Sequence, residues 1–330
     1  MEGWTCTMPT SLAIDVKNLK TCFSVNSHLT KAVDGVSFSI PEGKTLSLVG
    51  ESGCGKSVTA LSIMRLLPPN GIIAGGEILF DGLDLANISA KDMTNIRGNR
   101  ISMIFQNPML SLNPVFTVGN QIMEAILLHR DVSKREAKEI ALDMLSKVSI
   151  PEPTQRFNEY PHQMSGGMQQ RIMIVMALVC HPKLLIADEP TTALDVITQA
   201  QILDLMVDLQ NEMGTSILFI SHDLGVVAEI SDYVAIMYSS RIVEHAEVKE
   251  LYSNPKHPYT MALFDCRPRL GVDKGEKLRA IPGSVPESPD SIKGCKFNPR
   301  CQYVMEKCRT IDPLLMETTK GHQVACLKYE

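Results

Sequence analysis

Gly50-Glu51-Ser52-Gly53-Cys54-Gly55-Lys56-Ser57 constrains this chain more than any other stretch, because it fits G-x-x-x-x-G-K-[ST] between a strand and a helix. The apolar run Thr45 to Val49 reads as the strand entering it. Leu61, Met64 and Leu67 lie at helical spacing beyond it, and Pro68-Pro69 ends that helix. Glycines let the backbone curl so that its N–H groups and the helix N-terminus face phosphates. Lys56 neutralises the β and γ phosphates, and the Ser57 hydroxyl can ligate magnesium. The nucleotide-contacting stretch is taken to run from Gly50 through Val58.

Two further patterns belong to the same chemistry. Leu184-Leu185-Ile186-Ala187-Asp188-Glu189 is an apolar strand that delivers adjacent carboxylates at its C-terminal end, where ligands of parallel α/β sheets bind. Asp188 would reach a magnesium shell, and Glu189, one residue on and pointing the other way, could polarise an attacking water as a general base. Met164-Ser165-Gly166-Gly167-Met168-Gln169-Gln170-Arg171 stands just before the apolar segment Ile172 to Val179 and so forms a Ser- and Gly-capped helix start. That is a second anion-cradling loop. Two such loops in one chain make sense if one serves the chain's own nucleotide and the other a nucleotide across a dimer interface.

Composition narrows the setting. With 44% hydrophobic and 21% charged residues the 330-residue chain reads as globular, a main body with one smaller appendage. A net charge of −5 gives no general reason to bind nucleic acid. The longest apolar stretch, Ile172 to Cys180, stops at His181 and Pro182, short of the roughly 20 residues a membrane-spanning helix needs. Met1-Glu2-Gly3-Trp4 has no basic segment followed by an apolar core and does not read as a secretory signal, so cytoplasm is the expected compartment. Nine cysteines in a reducing compartment are expected to be buried, free or metal-bound rather than paired.

Strand-like runs at Val36 to Ile40, Glu77 to Phe80 and Ile101 to Phe105 accompany the phosphate loop. A helical period takes over from about Val118 to Ser149 and reads as an insertion. Strands return at Leu184 to Ala187, Ser216 to Ile220 and Tyr233 to Met237, around a helical stretch from Gln199 to Met213. Beyond about Asn254, prolines and glycines crowd in, periodicity fades, and four of the nine cysteines fall close together. That segment reads as a separate appendage held by something other than a large core.

These residues resemble the ABC ATPase family. Its usual Leu-Ser-Gly-Gly-Gln signature appears here with Met164 and Met168 as departures, and Met for Leu conserves apolar volume. The resemblance implies an α/β fold: a P-loop, RecA-like ATPase core with an antiparallel β subdomain and a helical subdomain (about 107–175) within residues 12–253. It also implies roles. Phe23 looks like the aromatic that stacks on adenine. Gln106 looks like the glutamine that touches magnesium and the attacking water and senses membrane subunits. Thr192-Ala193-Leu194-Asp195 resembles the inter-subunit loop, and His222 the switch histidine. Ser165, Gly166, Gly167, Met168 and Gln169 would meet a partner's nucleotide, and Ser57, Gln106 and Asp188 would hold magnesium beside ATP.

The segment Gln106-Asn107-Pro108-Met109-Leu110-Ser111-Leu112-Asn113-Pro114-Val115 is similar to that of dipeptide and oligopeptide permease ATPases, as is Ala187 through Gln201. His257-Pro258-Tyr259-Thr260 resembles the element opening that branch's C-terminal extension, here residues 254–330. Within it Cys295, Cys301, Cys308 and Cys326 look like a four-cysteine iron–sulfur site, although four thiolates suit a [4Fe-4S] cluster or one zinc ion. The other cysteines, Cys6, Cys22, Cys54, Cys180 and Cys266, are read as ordinary small residues, with Cys54 open to alkylation in the phosphate loop.

The resemblance implies an ATP-hydrolysing motor of a peptide importer, driven by dimer closure and bound at the cytoplasmic face of the membrane. Its partners would be a non-identical ATPase chain, two transmembrane permease subunits and, indirectly, a peptide-binding protein. Nickel, glutathione and antimicrobial peptides are the alternative cargoes. A soluble ABC protein of DNA repair or the ribosome is disfavoured by the single cassette and the lack of sustained heptads.

Overall fold

A computed structural model describes residues 11–25, 28–106, 111–192, 194–266, 281–284 and 291–330. In chain order its elements begin with β1 (Leu12–Val25), β2 (His28–Pro41), β3 (Thr45–Val49), α1 (Lys56–Ile63), β4 (Gly71–Phe80), β5 (Leu83–Asp84), α2 (Ala90–Ile96) and β6 (Ile101–Ile104). Next come α3 (Val118–His129), α4 (Lys134–Lys147), α5 (Pro153–Arg156), α6 (Gly166–Leu178), β7 (Leu184–Asp188), α7 (Val196–Met213) and β8 (Ser216–Ser221). The remainder is α8 (Leu224–Ile230), β9 (Tyr233–Tyr238), β10 (Arg241–Glu247), α9 (Val248–Ser253), α10 (Pro258–Asp265), β11 (Met316–Thr319) and β12 (His322–Val324). They fall into two units. One comprises Met1–Asp15, Ser39–Thr45 and Leu79–Ile220, the other Val16–Phe38, Leu46–Ile78 and Ser221–Glu330.

In the first unit β6, β7 and β8 run parallel, with Ile101 opposite Leu184 and Leu184 opposite Ser216. Every residue of β7 and β8 is buried, as expected of parallel strands covered on both faces. The helical insertion follows the sequence periods. Ser133 and Glu136 close a capping box at the start of α4, and Ala137, Ala141, Met144 and Leu145 form its buried face. Helix α6 is buried nearly all round, which explains its uninterrupted apolar run without recourse to a bilayer. No helix among the described residues is long and apolar enough to cross a membrane.

In the second unit β3 pairs in parallel with β9, Leu46 opposite Tyr233, and β10 pairs antiparallel with β9. Helix α1 ends earlier than its apolar spacing predicts, and Leu67 lies outside it. The cause is local: Arg65 turns left-handed (φ 50°) and the Leu66 N–H reaches back to the Leu61 carbonyl at 2.8 Å, a Schellman closure formed before the prolines intervene.

The segment beyond residue 254 also differs from its sequence reading. Strand β12 pairs antiparallel with β10, Glu244 opposite Val324, and β11 pairs with β12. The fully buried Glu244 carboxylate ties the two chain segments together, accepting N–H bonds from Lys256 at 2.6 Å and His257 at 2.9 Å and standing 2.8 Å from His322 Nε2. A buried carboxylate tolerates its desolvation only with such partners.

Candidate functional site

The second unit carries the phosphate loop. Strand β3 delivers Gly50, where a Cβ would stand 2.1 Å from the Met237 carbonyl oxygen, and Gly55 adopts φ 108° with a virtual Cβ 2.3 Å from the Ala32 carbonyl oxygen. Only glycine fits either place. Lys56 opens α1 almost fully buried. Its ammonium donates to the carbonyls of Gly50 at 2.8 Å and Glu51 at 3.0 Å, so it is already drawn over the loop. Ser57 is exposed beside it. The loop cysteine departs from expectation: Cys54 is wholly buried, and burial pushes its thiol above the ordinary range, against Lys56, so it is closed to alkylation rather than open. Phe23 is half-buried with its ring against Gly71, and His222 is exposed just past β8.

The first unit carries the carboxylates. Asp188 ends β7 buried, and Glu189 follows in a left-handed conformation (φ 46°) that a non-glycine residue adopts at a cost. Two donors meet one of its oxygens: Gln106 Nε2 at 3.1 Å and Thr192 Oγ1 at 3.0 Å, both to Oε2. Its own N–H is held by the Ile220 carbonyl at 2.9 Å. The sequence brings Gln106 to this group by resemblance. The Thr192 contact was missed, although the three-residue spacing from Glu189 is a detectable signal for a turn.

The signature loop lies in the same unit. Ser165 caps α6, accepting the Met168 N–H at 3.4 Å, and Ser165 and Gly166 are exposed while Gly167 and Met168 are half-buried. Gln169 differs from the rest. It is buried, and its amide donates to the carbonyls of Pro161 at 2.9 Å and Met164 at 3.2 Å, so it shapes the loop from within. Asp195 caps α7 through the N–H groups of Ile197 and Thr198, and those bonds, with the Thr198 hydroxyl, hold its carboxyl below the usual range. Leu194 is half-buried beside it. Ala193 and residues 107–110 of the permease-like segment lie outside the described residues, as does Cys6.

The four late cysteines come together. Cys295, Cys301, Cys308 and Cys326 line one small pocket with Phe297, Tyr303, Met305 and Leu327. Burial, then neighbouring thiols, pushes Cys295 up to about 12, and burial likewise raises Cys301 and Cys326. As placed, no group of three or more His, Cys, Asp or Glu side chains is arranged to hold a metal ion among the described residues. Two residues of this segment, Tyr259 and Arg300, reach the phosphate loop, and no sequence pattern announces either contact.

The chain is similar to known proteins. Residues 33–192 match the ABC transporter family, and residues 243–308 match the C-terminal region of oligopeptide/dipeptide transporters. A probable peptide ABC transporter ATP-binding protein of Sinorhizobium fredii is 53% identical over 96% of this chain and 94% of its own length. The oligopeptide transport ATP-binding protein AppD of Bacillus subtilis is 50% identical over 97% of this chain and 98% of its own. Among solved structures, the dimeric ATP-binding cassette MJ0796 in a post-hydrolysis state with ADP and phosphate superposes with a TM-score of 0.64 at 26% identity, covering 71% of this chain and 98% of that one. The phosphate loop, the paired carboxylates and these likenesses together show that the chain is an ATPase and belongs to the ATP-binding subunits of oligopeptide and dipeptide ABC transporters.

Proposed function

We propose that this chain is the motor subunit of an importer of dipeptides or oligopeptides. The observation that carries hydrolysis is Glu189 at the end of a buried strand, with one carboxylate oxygen fixed by Gln106 and Thr192. Occupying that oxygen orients the carboxylate, the condition a general base needs before it can take a proton from water attacking the terminal phosphate. Lys56 and the loop amides bind the β and γ phosphates, Phe23 receives the adenine, and His222 contacts the terminal phosphate. Asp188, Gln106 and Ser57 are hard oxygen donors of the kind magnesium takes, and the ion when bound neutralises phosphate charge.

The peptide cargo is supported by the relatives' names and by the match of residues 243–308. Transmembrane permease subunits are the expected partners, with the protein peripheral at the cytoplasmic face. A second, non-identical ATPase chain would present its nucleotide to Ser165, Gly166, Gly167 and Met168, with Leu194, Asp195 and Ala193 at the subunit boundary. Residues 12–253 form the ATPase portion and residues 254–330 the extension. For Cys295, Cys301, Cys308 and Cys326 we favour a [4Fe-4S] cluster over zinc. Four thiols around one apolar pocket are the donor chemistry such a cluster takes, and when bound it would staple a segment with little core of its own.

Mg-ATP titration of Lys56→Ala tests the motor assignment: affinity should fall by about 1.5 to 3 kcal/mol from the lost charge-assisted contacts, and unchanged affinity would refute it. Anaerobic purification with metal analysis tests the cluster. About four iron atoms per chain and broad absorption near 400 nm support it. One zinc ion without colour replaces it with a structural zinc site.

A further inference from the structure

We propose that the cysteine-rich extension holds the phosphate loop in its binding shape, with Arg300 and Tyr259 as positioning residues that act through Glu51. This rests on reading residues 50–57 as the nucleotide's phosphate loop. Glu51 is gripped twice. The Arg300 guanidinium donates to both carboxylate oxygens, Nη1 to Oε2 at 2.8 Å and Nη2 to Oε1 at 3.0 Å, and the Tyr259 hydroxyl oxygen accepts the Glu51 N–H at 3.0 Å. Side chain and main chain of one loop residue are thus fixed by residues 249 and 208 positions away in sequence. From Glu51 the path to the cation is short, because Lys56 Nζ donates to the Glu51 carbonyl at 3.0 Å and the Gly50 carbonyl at 2.8 Å.

The other end of the strut is anchored in the cysteine module. The Arg300 side chain is 7% exposed, precedes Cys301, and donates through Nε to the Pro282 carbonyl at 2.8 Å and through Nη2 to the Gly283 carbonyl at 3.3 Å. Its main-chain N–H bonds the Phe297 carbonyl at 3.0 Å. Phe297 packs its ring 5.2 Å from Tyr238 and 5.4 Å from Tyr259, within the core that also holds Val49 at the end of β3. A planar guanidinium with all three nitrogens engaged is a stiff link, so a shift of the backbone between Cys295 and Cys308 carries to the loop.

Charge gives the contact a second purpose. Glu51 places a carboxylate inside a loop built for a triphosphate, where bare negative charge repels the ligand. Arg300 neutralises it where it stands. The same pair therefore sets both the shape of the loop and its potential, and removing the arginine harms nucleotide binding on both counts.

The test is Mg-ATP titration of the purified full-length chain with a fluorescent ATP analogue, alongside thermal melting. Arg300→Gln should raise Kd about five- to tenfold, and Arg300→Lys, which keeps the charge without the fork, should recover part of that loss. Adding Glu51→Gln to Arg300→Gln should bring Kd back toward that of Glu51→Gln alone, because the repelling charge is gone. Wild-type affinity for Arg300→Gln, or effects that simply add, overturns the proposal. If Arg300→Gln does not fold, Tyr259→Phe decides, since it keeps the ring and removes only the hydroxyl: about a twofold to threefold rise in Kd supports the proposal and none overturns it. Lys56→Ala separates the two readings, for if it binds normally the phosphate-loop assignment has failed, whereas normal binding by the Arg300 and Tyr259 variants alone defeats only the strut.

Discussion

The two glycine-rich loops, residues 50–57 and 165–169, look alike in sequence and are built in opposite ways. The first is enclosed: Gly50 and Gly55 are pressed against the main chain of Met237 and Ala32, and its lysine is buried over its own carbonyls. The second stands open. An added Cβ at Gly166 would meet nothing within 4 Å, and Ser165 and Gly166 face outward from the start of α6. Glycine in the first loop answers to the chain's own fold, whereas at Gly166 the fold makes no such demand. Gly167 lies closer to its own chain, where a Cβ would stand 2.8 Å from Thr198 Cγ2, so the open part is Ser165 and Gly166, which are suited to meet a second molecule as the proposed ATPase dimer requires.

The largest effect should come from Glu189→Gln. Turnover of the assembled transporter is expected to fall about 10²- to 10⁴-fold with Mg-ATP affinity retained, because the base is lost while the phosphate loop stays intact. Near-normal phosphate release would remove Glu189 from its proposed role. That result would also show that the first unit contributes only through its exposed loop.

Next, Gly55→Ala should cost the chain about 2 kcal/mol or more, since it combines a left-handed backbone at φ 108° with a main-chain clash at 2.3 Å. Chemical denaturation measures it directly. Gly166→Ala should change stability by no more than about 0.5 kcal/mol, if anything upward, because alanine is the better helix former. The same variant should leave ATP binding by the isolated chain untouched and impair hydrolysis only in the assembled transporter. Equal stability costs at the two glycines would erase the distinction between the loops.

Acid tests the second unit. Burial first, and the His322 charge second, hold the His245 imidazole down at about 4, and its Nε2 is buried without a hydrogen-bond partner among the described residues. Unfolded, that ring protonates near 6.5. Its contribution is therefore complete above pH 6.5 and is lost as pH falls toward 4, by about 1.4 kcal/mol per pH unit and about 3 kcal/mol in all. His129 and His181 of the first unit shift downward through burial too, but sit nearer the surface. Urea melts between pH 7 and 4 should show the slope, and His245→Phe should reduce it, leaving the share of His257, which burial holds down at about 3.

Much of this was legible because local chemistry dictated it. β7 and β8 are near-continuous apolar runs because both faces are covered, Asp188 and Glu189 stand where the first of them ends, and the glycine-rich loop after β3 and the cap at Ser165 follow from turn and capping rules. What stayed hidden depends on residues far apart in sequence. Strands of four and three residues at β11 and β12 are too short for periodicity to register, and their place is set by Glu244 and His322, 78 positions apart. Arg300 and Tyr259 announce nothing by spacing. The setting of Gln169 is hidden for a different reason: resemblance says which residue occurs in the signature but not that its amide turns inward to Pro161 and Met164.

The smallest expected effect is also the sharpest probe of the open loop. Ser165 performs two tasks that substitution can separate, since its hydroxyl oxygen accepts the Met168 N–H at 3.4 Å while the side chain is exposed to any second molecule. Ser165→Ala removes both, and the lost cap should cost about 0.5 to 2 kcal/mol. Ser165→Asp keeps the cap but adds a negative charge where a partner's phosphates would arrive. If the loop merely starts a helix, Asp should restore both stability and transporter ATPase activity. If it meets a nucleotide, Asp should restore the melting temperature and leave activity as low as, or lower than, that of Ser165→Ala, because a carboxylate repels the phosphates the hydroxyl would have met.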